Sequence, residues 1–174
     1  IDGLTTTQVS MAAATVSIAD TGASKTQVDT VNGFTTGTVT PTSISEDKAD
    51  ITTLQGTTGI SLATTNITVT DQVNKSEADT INGYTTGQVV LNSASMTVTE
   101  LAAVEALNDS VMKFADDGAI SVSDAASLAN ANTINNYTTG QVTLTSVDDT
   151  VANITSIDGL TTTQVSMAAA TVSI

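Results

Sequence analysis

Five copies of one nine-residue phrase organise this chain: residues 1–9 (IDGLTTTQV), 31–39 (VNGFTTGTV), 81–89 (INGYTTGQV), 134–142 (INNYTTGQV) and 157–165 (IDGLTTTQV). Two degenerate copies fill the wide gaps, one at Leu54-Gln55-Gly56-Thr57-Thr58-Gly59 and one at Leu107-Asn108-Asp109. The starts then lie 23 to 30 residues apart, with a mean of 26. A phrase recurring at that interval implies units that bury their apolar faces against each other rather than in one wide core. A larger period sits above it. Residues 157–174 repeat residues 1–18 letter for letter (IDGLTTTQVSMAAATVSI), so the block restarts after 156 residues. Such identity implies recent duplication, and the chain is expected to be one period, plus an overlap, of a longer tandem array.

After each phrase comes a stretch of aliphatic residues in strict alternation with hydroxyls, as in Val16-Ser17-Ile18, Ile67-Thr68-Val69, Met96-Thr97-Val98 and Ile120-Ser121-Val122. Period two with β-branched residues is the signature of a strand whose aliphatic side faces inward. An acid follows (Asp20, Asp47, Asp71, Glu100, Asp124, Asp149), and then apolar residues spaced by three, such as Leu101, Val104, Leu107 and Leu128, Ala131, Ile134 and Val151, Ile154, Ile157. That spacing predicts one face of a short helix. In three other units the sixth position before the phrase is Lys25, Lys48 or Lys75, whose stem can cover the same groove. Asn-Gly or a variant of it should end the helix with a left-handed cap. The following Leu4, Phe34, Tyr84, Tyr137 or Leu160 is expected to re-enter the core.

The expected fold is a β-solenoid or α/β-solenoid of parallel strands, with two strands and one short helix per coil. It predicts a single solenoid segment over residues 1–174, one six-coil block over 1–156, and the start of an identical block at 157–174.

Composition narrows the functional classes. Eighteen acidic residues against four lysines give a net charge of −14, which repels nucleic acid and anionic membranes. Histidine and cysteine are absent, so the usual nucleophile, general-base and zinc sets cannot be assembled and no disulfide forms. No apolar run is long enough to span a bilayer. No enzyme is expected, and no catalytic, cofactor or metal residue is assigned. The carboxylate pairs Asp116-Asp117 and Asp148-Asp149 could in principle act in glycoside hydrolysis, but adjacent loop acids are more often solvated turn residues. The six post-strand acids fit helix N-caps better than calcium ligands, although calcium is the one ion this composition would suit. The hydroxyls Ser17, Ser43, Thr68, Thr97, Ser121 and Ser146 would form an outward column, like the ice-binding faces of some β-solenoids. Asn66-Ile67-Thr68 and Asn153-Ile154-Thr155 are glycosylation sequons of the kind expected by chance in a Thr-rich chain.

The run Ser123 to Val142, with Asp124, Ala131 and Ile134-Asn135-Asn136-Tyr137-Thr138-Thr139-Gly140-Gln141-Val142, resembles very large Thr/Ala/Val-rich tandem-repeat proteins of bacterial cell surfaces, including the adhesin-like proteins of marine bacteria. The resemblance implies export, surface attachment and a structural role. The chain is therefore expected to be an extracellular filament, stalk or adhesin segment that extends and spaces, with further copies of itself as partner. The alternatives are a face that binds ice or glycan, or a calcium-stabilised repeat module.

Overall fold

The computed structural model describes residues 11–107, 109–160 and 164–174. Its elements are β1 (Val16–Ile18), α1 (Lys25–Asn32), β2 (Val39–Pro41), β3 (Ser43–Glu46), α2 (Lys48–Gly56), β4 (Asn66–Val73), α3 (Lys75–Asn82), β5 (Val89–Met96), α4 (Val98–Glu105), β6 (Met112–Ala126), α5 (Leu128–Ile134), β7 (Val142–Asp148), α6 (Val151–Leu160), β8 (Val165–Ser166) and β9 (Thr171–Ser173). Strands β3 to β8 pair in parallel in chain order, β9 joins the outer side of β7, and β1 and β2 form a separate parallel pair.

The expected solenoid is overturned. The chain is an α/β domain in which an open, seven-stranded parallel sheet is accompanied by six helices among the described residues, and the sheet does not close into coils. The reason lies in the joins between the alternating stretches. In β5 the buried residues are Val89 and Leu91, then Ala94 and Met96. A register shift between Leu91 and Ser93 resets the alternation without ending the strand, which is the work of a β-bulge. Similar shifts lie between Val69 and Gln72 in β4 and between Val122 and Ala125 in β6. What alternation alone divides into two strands is thus one bulged strand. Accordingly Ile67-Thr68-Val69 pairs in parallel with Val89-Val90-Leu91, and not with Met96-Thr97-Val98. Thr97 has left the sheet to cap α4, and Val98 opens that helix.

The helices bury residues three apart: Ile51 and Leu54, Ala78 and Ile81, Leu101 and Val104, Ala131 and Ile134. These meet the inward row of the sheet, Ile67, Val69, Leu91, Ile120, Val122 and Leu144, in one continuous core. Full burial of each such side chain stabilises the fold by roughly 1.5–3 kcal/mol before chain entropy is counted. Two outer members of the predicted triplets do not follow. Leu107 and Val151 are exposed, because each lies a turn beyond the stripe that touches the sheet.

Two local expectations fail as well. Gly33 and Gly83 end α1 and α3 in right-handed conformation, φ −67° and −68°, their N–H groups bonding back to Asp29 and Val31 and to Asp79 and Ile81. Among the described residues the positive-φ glycines are Gly22 and Gly59 instead. Phe34, expected inside, is 60% exposed, whereas Tyr84 and Leu160 pack partly against the core and Tyr137 stacks on Phe114 with ring centroids 6.2 Å apart. Phe114 in β6 gives Tyr137, which precedes the adjacent strand β7, a ring to stack on. Leu4 lies outside the described residues.

Strand order decides where a ligand crevice could form. In open parallel sheets the crevice opens where the order reverses and helices on both faces diverge. From β3 to β8 the order never reverses.

Candidate functional site

The recurring Thr-Thr-Gly is a staple between adjacent strands. In residues 134–142 the Thr138 hydroxyl donates to Gly118 O (2.6 Å) and accepts from Gly140 N–H (2.8 Å). Thr139 donates both its N–H and its hydroxyl to Asp116 O, each at 2.7 Å. Residues 81–89 repeat the arrangement. Thr85 bridges Thr65 O and Gly87 N–H, and Thr86 donates twice to Ala63 O. Residues 31–39 repeat it once more, with Thr35 between Ala14 O and Gly37 N–H and Thr36 on Ala12 O. The glycine is demanded by crowding rather than by its dihedrals. A Cβ would lie 2.3 Å from Ala14 O at Gly37, 2.5 Å from Thr65 O at Gly87 and 2.3 Å from Asp117 O at Gly140. In residues 157–165 this glycine is replaced by Thr163, outside the described residues.

The acids after the strands reach sideways. Besides its own cap at Ser24, Asp47, Asn74, Thr97 or Ser127, a helix can receive a carboxylate from the next strand along. Glu46 accepts from Lys25 N–H at the start of α1, Asp71 from Lys48 N–H at the start of α2, Asp124 from Val98 N–H at the start of α4, and Asp149 from Leu128 N–H at the start of α5. An anion at a helix N-terminus satisfies an orphan donor and meets the positive end of the dipole. Asp149 shows the consequence: Leu128 N–H, then Asn153 and Thr150 N–H, hold its carboxyl below the usual range. Glu77 is lowered first by the N–H of Asn74 in their capping box, then by Lys48 at 2.9 Å. Glu105 goes the other way, raised by burial and then by nearby Asp109. Glu46 escaped detection because Asp47 beside it carries the expected capping role.

The predicted site residues do not converge. Asp116 sits on an excursion of β6 with its side chain 92% exposed, 3.4 Å from Lys113, and Asp117 is exposed beside it. Asp148 is exposed while its neighbour Asp149 caps α5. Among the described residues no three Asp, Glu, His or Cys side chains gather where a metal ion could sit. The hydroxyl column breaks up. Ser17 pairs with Thr40, Ser43 with Asn66, Thr68 with Val90 and Ser146 with Ala125 and Thr171, while Thr97 is a helix cap. Register instead aligns Ser95, Ser121, Thr143 and Ser166, a row with one threonine. Of the sequon asparagines, Asn66 accepts from Gln88 N–H and Asn153 donates to Asp149.

Open depressions of about 400 Å³ lie on the surface of the described residues. One is lined by Lys48, Thr52, Glu77 and Thr80, another by Asp116, Asn135, Tyr137 and Gln164, and a third by Gln141, Gln164, Met167 and Val172. In the first, the Lys48–Glu77 ion pair occupies the polar groups. In the second, Asn135 Oδ1 is a buried oxygen without a hydrogen-bond partner. No helix among the described residues is long and apolar enough to cross a membrane. Comparisons of the chain with protein families, with curated proteins and with solved structures find no match.

Proposed function

We propose that this chain is a structural segment of an extracellular bacterial surface protein, a filament, stalk or adhesin, in which it extends, spaces and bears load. One observation carries the proposal. Where the phrase reads Thr-Thr-Gly, at residues 35–37, 85–87 and 138–140, its hydroxyls and N–H groups are committed to holding one strand on the next, as Thr138, Thr139 and Gly140 are on Asp116 and Gly118. A motif kept for substrate would leave such groups facing a cleft. The unreversed strand order agrees, because it creates no crevice at a switch point. The extracellular location is supported by the acidic, hydroxyl-rich composition and the resemblance to giant surface proteins.

Stretching a single molecule from its two ends tests this role. A load-bearing spacer whose strands follow chain order should unravel in successive steps of one β–α unit. Taking about 25 residues per unit at ~3.5 Å per residue, each step releases about 90 Å of contour. A single rupture of the whole chain, or thermal hysteresis or glycan binding by the folded protein, would count against the role.

A further inference from the structure

The chain contains Asn-Gly twice, as Asn32-Gly33 and Asn82-Gly83, and both pairs end a helix. Neither pair uses its glycine for a left-handed turn, since φ is −67° at Gly33 and −68° at Gly83. At Gly33 space does not demand a glycine either, because a Cβ there would come no closer than 3.4 Å, to Thr30 O. What the glycine changes is the chemistry of the residue before it. With no side chain beside it, a glycine nitrogen is the backbone nitrogen freest to attack an asparagine amide.

In that reaction the glycine nitrogen gives up its proton to solvent and bonds to Cγ of the asparagine. The Cγ–Nδ2 bond breaks and Nδ2 leaves as ammonia, closing a five-membered succinimide. Water then opens the imide at one of its two carbonyls, giving aspartate or, where the original main-chain bond breaks, isoaspartate. A water is consumed and an ammonia released, with no oxidant or reductant. Ring closure needs a free nitrogen and an asparagine ψ outside the helical range of about −20° to −70°.

The folded helix ends deny both. Asn32 and Asn82 are the last residues of α1 and α3. Gly33 N–H donates to Asp29 O and Gly83 N–H to Asp79 O, each at 3.0 Å. The next N–H groups, of Phe34 and Tyr84, close on Val31 O and Ile81 O, also at 3.0 Å. Asn32 is held in addition by its side chain, whose Nδ2 donates to Thr58 O at 3.2 Å.

We propose that Asn32-Gly33 and Asn82-Gly83 are deamidation sites gated by unfolding. The fold keeps both amides intact, opening of α1 or α3 releases them, and the isoaspartate that forms stops that helix end from closing again. Isoaspartate runs the main chain through Cβ and Cγ, so the backbone gains a carbon just before Tyr84 and Thr85, whose hydroxyl staples to Thr65 O. An ordinary aspartate is compatible with a helix at this place in the phrase, as α6 runs through Asp158-Gly159. The gating comes from the helix caps and holds whether or not the chain bears load.

Ageing the whole chain at mildly alkaline pH, folded in buffer or unfolded in guanidinium, tests this. Peptide mass spectrometry follows deamidation at each site, and labelling by isoaspartyl methyltransferase counts the isoaspartate. Opening a helix end breaks both cap bonds, each equivalent to about a fivefold shift in population, so both sites should react about 25-fold or more slowly in the folded chain. Asn74→Ala removes the cap at the other end of α3 and should speed Asn82 about fivefold in the folded chain while leaving Asn32 unchanged. Aged unfolded and then diluted from denaturant, the parent should fail to regain its circular dichroism, whereas fresh N32D/N82D and aged G33A/G83A should regain theirs. Equal rates in the folded and unfolded chain, an Asn82 rate unmoved by Asn74→Ala, or full refolding of a chain with isoaspartate at both sites overturns the proposal.

Discussion

Replacing Gly140 by alanine tests the staple directly. An alanine Cβ there would lie 2.3 Å from Asp117 O, 2.5 Å from Gly118 O and 2.7 Å from Asp117 C, where ordinary contact begins at 3.4 Å. All three atoms are backbone, so no side chain can swing aside. The two strands must part by about 1 Å, an overpacking cost of about 1–3 kcal/mol. Such a shift also stretches the bonds of Thr138 to Gly118 O and of Thr139 to Asp116 O, now 2.6 to 2.7 Å long, each contributing about 1 kcal/mol. The total is about 4–6 kcal/mol, equivalent to a melting temperature lower by about 10–15 °C in a chain of this length. The control lies in the next copy of the phrase. Gly159 is in α6 with nothing within 4 Å of its Cβ position, so Gly159→Ala should stabilise by about 0.5–1 kcal/mol through helix propensity. Thermal unfolding followed by circular dichroism measures both. If Gly140→Ala melts with the parent, Thr-Thr-Gly does not hold the strands in the way described.

Three further outcomes are expected. Asp124→Ala removes the acceptor for Val98 N–H and should cost about 1 kcal/mol, with faster hydrogen exchange confined to the first turn of α4. Stability should also depend on pH in two opposed ways. Asp149 and Glu77, both lowered, contribute stability that is present above the ordinary carboxylate range and is lost as pH falls through their folded values. Glu105, raised by burial, gains stability as pH falls through its raised value. Melting temperature against pH should therefore drop steeply on the acid side, less so in Asp149→Asn, and Glu105→Gln should remove the gain just above that range. Finally, EDTA should leave the melting temperature unchanged, since a metal bound only by the folded state would add its linkage free energy and its removal would lower the transition.

The sequence by itself determined the punctuation of this protein. Thr-Thr-Gly at 35–37, 85–87 and 138–140, alternation such as Ile120-Ser121-Val122 and apolar spacing of three such as Leu101 and Val104 are local signals that ended in a staple, a strand and a buried helix face, whereas in Thr57-Thr58-Gly59 the Thr57 hydroxyl turns back to Thr53 O of its own helix. Capping was legible only at Asp47, which lies three residues before the N–H of Asp50 that it serves; the caps of α1, α3, α4 and α5 are Ser24, Asn74, Thr97 and Ser127 rather than the expected acids. What only the tertiary structure decided were relations between residues 20 or more apart. Whether Val89 and Met96 belong to two strands or one bulged strand depends on the register with β6, which no local pattern encodes, and that register turned an expected solenoid into an open α/β sheet. The hydroxyl column failed on the same point, since Thr68 has Ser45 opposite it rather than Ser43, and Ser121 has Thr143 rather than Ser146. The carboxylates of Asp71, Asp124 and Asp149 serve helices that precede them in the chain, and their partners became visible only once neighbouring strands had brought them within 3 Å.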